Sequence, residues 1–407
     1  MKPAFALFHR EHMNRRDALK LGAAGAAAAA AAATVGAKPA RASQEEEETS
    51  NGNQPGPRYR EGGPGPKSGT YSDEMFDVDA VLAGAWDVGP YGPGDQRGSL
   101  NEVTPWVTAA ASSLVHRGKA YQLGEEMFNG FPAFPSDPPR LHDMFLYVLG
   151  YQAPGGFEAG GGIQSSITPI GPNLVSAHEE RFSENFTFQI ATQVDGLNHI
   201  GLGEIYYNGF RGPQIATPTG TTALGNETMG PIATRGVIYD VIGLKVAEGA
   251  TDQYFFAPNG QPVLSDNYRI TLDDMRGCLQ RQGVRQVRSG EVPIMHTGWT
   301  HLARTDPDRY LTQEPGIYLE EARYFADKKV ALVATDTWGL EVLDPEVTGG
   351  NAFPVHQELI VANGIRIGES FVTDEAIADG VYEGMIVITP ENVPGATCGS
   401  SPPTLIA

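Results

Sequence analysis

Past residue 100, apolar positions recur every three to four residues in some stretches and run continuously or alternate in others. Thr104-Pro105 reads as the cap and first turn of a helix that passes through Ala109, Leu114 and Val115 and stops at Gly118. Ile270 to Gln282 predicts a second helix, with Thr271 as N-cap, Asp273 and Asp274 in its first turn and Gly283 as its stop. Ile317 to Lys328 predicts a third. Each of the last two neighbours an apolar strand, Val292 to His296 and Val330 to Thr335. Phe186 to Val194 and Gly236 to Leu244 read as strands with no helix of matching length between them. The pattern predicts an α/β fold built on a mixed, partly antiparallel sheet with surrounding helices, rather than a regular doubly wound sheet. With no internal repeat and no second linker, residues 76–407 are expected to form a single large domain.

The chain before that body has a different character. Arg15-Arg16 precedes an Ala-rich run from Leu21 to Gly36, and Ala40-Arg41-Ala42 supplies a small-residue cleavage site. Residues 1–42 therefore read as a twin-arginine signal peptide, which implies export to the periplasm or beyond. The apolar run falls short of the ~20 residues that span a bilayer. Residues 43–75 read as a disordered acidic Pro/Gly linker, with Glu45 to Glu48 in a row and almost no large apolar side chain to offset chain entropy.

Of the 407 residues, 50 are Gly and 30 are Pro, which argues against a helical bundle. The net charge of −20 becomes −25 once residues 1–42, with seven Lys/Arg and two Asp/Glu, are removed. No general basic surface is left for nucleic acid or an anionic membrane, so a small-molecule substrate is expected. Two cysteines, Cys278 and Cys398, exclude a disulfide scaffold and a Cys-rich zinc site, leaving at most one bond between them.

Two stretches carry candidate chemistry. In Phe186 to His199, alternation puts Phe186, Phe188, Ile190, Thr192 and Val194 on one strand face and Gln189, Ala191, Gln193 and Asp195 on the other. Gly196 lets the chain turn and return His199 towards Asp195. At about 3.3 Å per residue, Gln193 and Asp195 lie roughly 7 Å apart and can share an ion. Gln189 lies about 20 Å from Asp195 by the same rise and joins them only if the strand bends. In the second stretch, a short helix opens near His356 and stops at Gly364, and a strand ends at Glu369, so a tight reversal brings both ends to one neighbourhood.

At these residues the chain resembles the cyclase family of metal-dependent hydrolases, which includes bacterial kynurenine formamidase and isatin hydrolase. The resemblance runs from about Asp95 to Thr389 and includes Gly98 to Pro105, Thr192 to Gly201, Tyr207-Asn208-Gly209, Arg235 to Asp240, Thr297-Gly298-Trp299 and His356 to Glu369. It implies a swivelling β/β/α, cyclase-like fold, a homo-oligomer (dimer or tetramer) and hydrolysis of an amide, formamide or lactone bond. The family signature His-x3-His-x-Asp-x3-His falls on Gln189, Gln193, Asp195 and His199, so both leading His are Gln here. What the resemblance then implies is one divalent metal ion, Mn or Zn, held by Asp195, His356, Glu369 and Gln193, with His199 as the acid/base. His199 is expected to take the proton of a metal-activated water and return it to the leaving nitrogen or oxygen.

Alternatives are an exported metal-containing binding protein without turnover, motivated by the two replaced His, and a lyase or cyclase of secondary metabolism. His142, His178, His296 and His301 are further pocket candidates against capping or surface roles, and Trp86, Tyr206, Tyr207 and Trp338 are candidates for stacking on a substrate. There is no Gly-x-Ser-x-Gly elbow, and Gly92-Pro93-Gly94 with Gly98 misses the dinucleotide fingerprint by one position.

Overall fold

The computed structural model describes residues 63–158 and 160–407, which lie within one compact unit, Arg60–Ala407. The expected signal peptide and the tether up to residue 62 lie outside the described residues. The tether's expected end at residue 75 is corrected. Gly65 accepts a hydrogen bond from Arg276 (2.9 Å), Gly69 and Tyr71 donate from their backbones to Glu320, and Asp73 pairs with Arg269. Backbone hydrogen bonds, the Asp73–Arg269 pair and the packing of Tyr71 and Met75 on the main core hold this segment to the body.

The strands of the two larger sheets are β1 (Ala120–Gln122), β2 (Met144–Leu149), β3 (Ile163–Ser166), β4 (Ala177–Phe182), β5 (Gln193–Asp195) and β6 (Ile232–Asp240). They continue with β7 (Val292–His296), β8 (Leu332–Thr335), β9 (Arg366–Glu369), β10 (Glu383–Ile388), β11 (Cys398–Gly399) and β12 (Thr404–Ile406). The main sheet has the order β1-β12-β10-β6-β7-β8-β9-β5-β11. Its centre, β6 to β9, is parallel. Both flanks are antiparallel. The mixed sheet expected from the sequence is therefore present. β2 pairs with β3 and β4 in a separate three-stranded sheet.

The principal helices are α1 (Pro105–Ser112), α2 (Val241–Glu248), α3 (Leu272–Gln282), α4 (Leu319–Lys328) and α5 (Pro354–His356), which runs on as a π-helix over Gln357–Ala362. α3 is stapled as its sequence demands: Thr271 and Asp274 form a reciprocal capping box, and Gly283 closes the helix in the left-handed conformation. α1 is capped by Thr104 but ends at Ser112, short of the expected Gly118. The expected strand from Gly236 to Leu244 is also corrected. It starts earlier, at Ile232, and gives way at Asp240, whose side chain accepts from Gly243 N (2.9 Å) and caps α2.

Alternate residues of the central strands feed two cores. Val237, Tyr239, Met295, Val333 and Ile367 pack with α2, α3 and α4 on one face. Ile238, Ile294, Leu332 and Ala334 face the other way, onto Tyr121, Phe371, Ile386 and Leu405, so residues of the flanking strands close over the second face. Each fully buried aliphatic or aromatic side chain contributes about 1.5–3 kcal/mol. A sheet covered on both faces leaves its strand ends as the place for chemistry. Cys278 and Cys398 are both free and buried. No helix among the described residues is long and apolar enough to cross a membrane.

Candidate metal centre and cleft

The parallel strands place their carboxyl ends along one edge, where ligands of open α/β sheets bind. Glu369 is the last residue of β9, and Gln193 on β5 lies directly opposite it. Asp195 follows two residues along β5. From α5 the chain reverses through Gly364 (φ 65°) into β9, which brings His356 to the same edge. A Cβ at Gly364 would lie 2.5 Å from the Tyr207 ring and 2.9 Å from Gly98 Cα, so only glycine fits this reversal.

Asp195, His356 and Glu369 therefore converge, with one donor atom from each within 4.8 Å of the others. His356 Nε2 is 3.8 Å from Asp195 Oδ2 and 3.5 Å from Glu369 Oε1. His199 Nε2 is 4.0 Å from Asp195 Oδ1. Gln193 also joins, since its amide nitrogen donates to Glu369 Oε2 (2.5 Å) and to Gln189 Oε1 (2.9 Å).

The strand expected over Phe186 to Val194 is corrected, because only Gln193–Asp195 is regular. Ala191 takes a left-handed φ of 58°, so the chain folds back before β5. Gln189, excluded by the straight-strand distance, is brought into the cluster by this bend. Its amide nitrogen donates to Asp195 Oδ1 (3.3 Å) and lies 3.1 Å from His199 Nδ1. The carboxylates at both ends dictate the orientation of both amides. Flipping either would set an amide oxygen against a carboxylate oxygen. Gln189 thus donates to His199 Nδ1, which puts the proton of the neutral ring on Nε2.

Glu341, which sequence reasoning did not find, completes the arrangement. Its buried carboxylate accepts from His356 Nδ1 (2.6 Å) and from the backbone amides of Val355 (3.0 Å) and His356 (3.1 Å). It caps α5, whose own N-cap residue, Phe353, supplies no side-chain bond. It also leaves His356 Nε2 as the ring atom aimed at Asp195 and Glu369.

Burial, reinforced by the Glu369 charge and opposed by His199 and His356, pushes Asp195 up to about 6. Burial alone would lower His356, but its bonds to Glu341 and Glu369 hold it at about 10. Burial lowers His199, with the His356 and Arg140 charges acting the same way against Asp195. The cluster thus concentrates negative charge that wants a positive partner, which a proton on His356 or a cation can supply. Asp195 Oδ2 and Gln193 Oε1 are buried acceptors without a hydrogen-bond donor. Two orphaned oxygens beside an imidazole nitrogen and a second carboxylate fit one divalent cation.

Above the cluster opens a cleft of about 650 Å³, including its solvent-open mouth, reached by Gln189, Gln193, His199, His356 and Glu369. Its wall is aromatic. Phe134, Trp338 and Phe353 contact one another with ring centroids 5.3–6.4 Å apart, and Phe353 packs edge-on against His356 at 5.2 Å. Phe353 and Ser370 join Ala191 in the left-handed region (both φ 53°), so three strained non-glycine residues surround the site.

Of the stacking candidates, Trp338 lines the cleft, whereas Trp86, Tyr206 and Tyr207 pack elsewhere. The other four candidate histidines do not line it. His296 is buried against Asp336 and Thr373, His301 pairs with Asp374, His142 bonds the Phe128 carbonyl, and His178 meets Tyr151 on the surface.

Fold and site together define a mixed α/β protein with a buried carboxylate–imidazole cluster at the strand ends beneath an aromatic cleft. The chain belongs to the cyclase family, whose model, described as "Putative cyclase", matches residues 121–342. It is similar to the crystal structure of a novel cyclase, with a TM-score of 0.62 and 25% identity over 82% of this chain and 100% of that one. It also resembles isatin hydrolase A from Ralstonia solanacearum (TM-score 0.48, 14% identity, 74% of this chain and 97% of that one). A third likeness is isatin hydrolase A from Labrenzia aggregata bound to benzyl benzoate (TM-score 0.46, 13% identity, 76% and 100%). No curated protein matches the chain.

Proposed function

We propose that this chain is a metal-dependent hydrolase that opens an amide, formamide or lactone bond. The observation that carries this reading is the convergence of Asp195, His356 and Glu369, with two unpaired acceptor oxygens beside them, beneath an aromatic cleft that His356 and Glu369 line. One divalent ion, Mn²⁺ or Zn²⁺, would be held by those three residues with Gln193 as a fourth, amide-oxygen ligand. Such an ion supplies Lewis-acid chemistry, polarising a carbonyl and acidifying water.

The chain's own groups do the rest. Glu341 keeps the Nδ1 proton of His356 and orients the ring. Phe134, Trp338 and Phe353 exclude water from the substrate's apolar body. His199, neutral with its proton on Nε2, donates a hydrogen bond from it to the leaving nitrogen or oxygen, and the proton that atom keeps is the one the attacking water sheds, so the ring is neutral before and after. Gln189 thus narrows the role expected from the sequence, since with Nδ1 accepting from Gln189 the Nε2 atom of His199 is a donor and not the base that takes the water's proton.

The test is a panel of formamides, cyclic imides and lactones with metal content measured alongside. Chelation is expected to abolish hydrolysis, and Mn²⁺ or Zn²⁺ to restore it. An unchanged rate in a metal-stripped sample, or a metal-loaded protein that hydrolyses nothing on the panel, overturns the reading.

A further inference from the structure

Arg140 stands apart among the groups lining the cleft. Its guanidinium lies over the Phe134 ring, 5.5 Å from the centroid, and Nη1 makes one long hydrogen bond to the Gln189 carbonyl (3.3 Å). Among the described residues no carboxylate lies within ion-pairing distance of it. A guanidinium carries five N–H donors in a rigid plane, and four of these are unused here. The surroundings make this unusual. The chain carries a net charge of −20, and one of its carboxylates, Glu369, lines the cleft with Asp195 buried beneath it. An unpaired cation held over an aromatic wall of such a cleft has no packing task that Met or Leu would not serve better.

Building on the reading of this cleft as the substrate site, we infer that Arg140 is its anion-recognition residue and that the substrate is a planar, apolar molecule bearing a carboxylate. The guanidinium matches a carboxylate through two parallel N–H···O bonds. Phe134, Trp338 and Phe353 provide the flat apolar surface beside it. The geometry also limits where the carboxylate lies relative to the reacting bond. Arg140 touches the backbone carbonyl of Gln189, whose side chain touches Asp195 and His199. One residue, Gln189, thus spans the gap between the guanidinium and the Asp195–His199 pair, so acid group and scissile carbonyl can belong to one small molecule.

Benzoate and benzamide, which differ in charge but hardly in shape, test this by calorimetry on the full chain, with the ammonia that benzamide hydrolysis would release assayed in each sample so that any turnover is seen. Benzoate is expected to bind at least about tenfold more tightly than benzamide, as a desolvated charge-assisted pair requires. Arg140→Met should erase that ratio while leaving benzamide affinity unchanged, and Arg140→Lys should keep part of it. Each titration is run on chelated and metal-loaded protein, because a carboxylate can also bind a cation. Equal binding of the two ligands, or a ratio that survives Arg140→Met, overturns the assignment. Neither ligand needs to be hydrolysed, so this failure is distinct from a failure of the hydrolase reading.

Discussion

Asp195 and His199 stand four residues apart and differ in surroundings, and the difference predicts how their loss should differ. Asp195 is wholly buried and keeps one carboxylate oxygen without a donor, whereas His199 lines the cleft and holds its proton away from Gln189. Asp195→Ala is expected to lose the bound ion together with activity. His199→Ala should retain the ion and lose turnover by about 10²–10⁴-fold. Metal analysis of the purified variants beside their kinetics checks that division, and metal lost equally from both would refute it. Gln189 allows a finer test. Gln189→Glu replaces a donor at His199 Nδ1 with an acceptor, which should shift the ring proton from Nε2 to Nδ1. The ¹⁵N shifts of His199 report that directly, and kcat should fall more than KM rises.

At the scale of elements, the site depends on how short segments are turned and capped. Gly98 and Gly364 meet back to back. A Cβ at Gly98 would sit 2.1 Å from the Gly364 carbonyl oxygen, and both residues have positive φ. Gly364→Ala is expected to cost about 2–4 kcal/mol, combining left-handed strain with overpacking, read as a lowered urea midpoint. Glu341→Gln keeps the shape but weakens both the α5 cap and the hold on His356. It should lower metal affinity by about 10–100-fold with a smaller loss of stability.

The same elements show what could be read from the chain alone. The caps Thr104 and Thr271, the stop at Gly283 and the strand Val292 to His296 are local, and they stand where pattern places them. The alternation at Phe186 to Val194 misled because strand formation needs a partner. β5 is regular only where β9 and β11 flank it, while Phe186 and Phe188 pack against each other and Phe182 instead. Asp195, His356 and Glu369 were legible as ligand types in order. Glu341, Gln189's place and Arg140 were not, because each acquires its role from a contact that tertiary folding makes.

The whole molecule carries an acidic interior, and this sets how its stability should depend on pH. Burial pushes Glu125 up to about 8, with the neighbouring Asp336 adding to the effect, and pushes Glu321 up to about 7 against the pull of Arg269. His296 moves the same way for a different reason: burial would lower it, but its hydrogen bond to Asp336 and that residue's charge, aided by Asp374 and Asp240, hold it at about 9. A group whose folded value lies above its unfolded value stabilises the fold fully below the unfolded value and loses that contribution as pH rises through the folded one. For His296 the window runs from the unfolded value of about 6.5 to about 9, and the stake is on the order of 3 kcal/mol. For the two glutamates the loss starts lower and adds in the same direction. Thermal unfolding from pH 5 to 9.5, with chelator present so that the metal cluster does not intervene, should show a melting temperature that falls across this range. His296→Gln keeps a hydrogen-bonding side chain beside Asp336 but cannot titrate, and should flatten the fall between pH 6.5 and 9. A melting temperature that is level or rising towards pH 9, or a His296→Gln profile parallel to the parent's, would show that these buried groups are not protonated as their surroundings require.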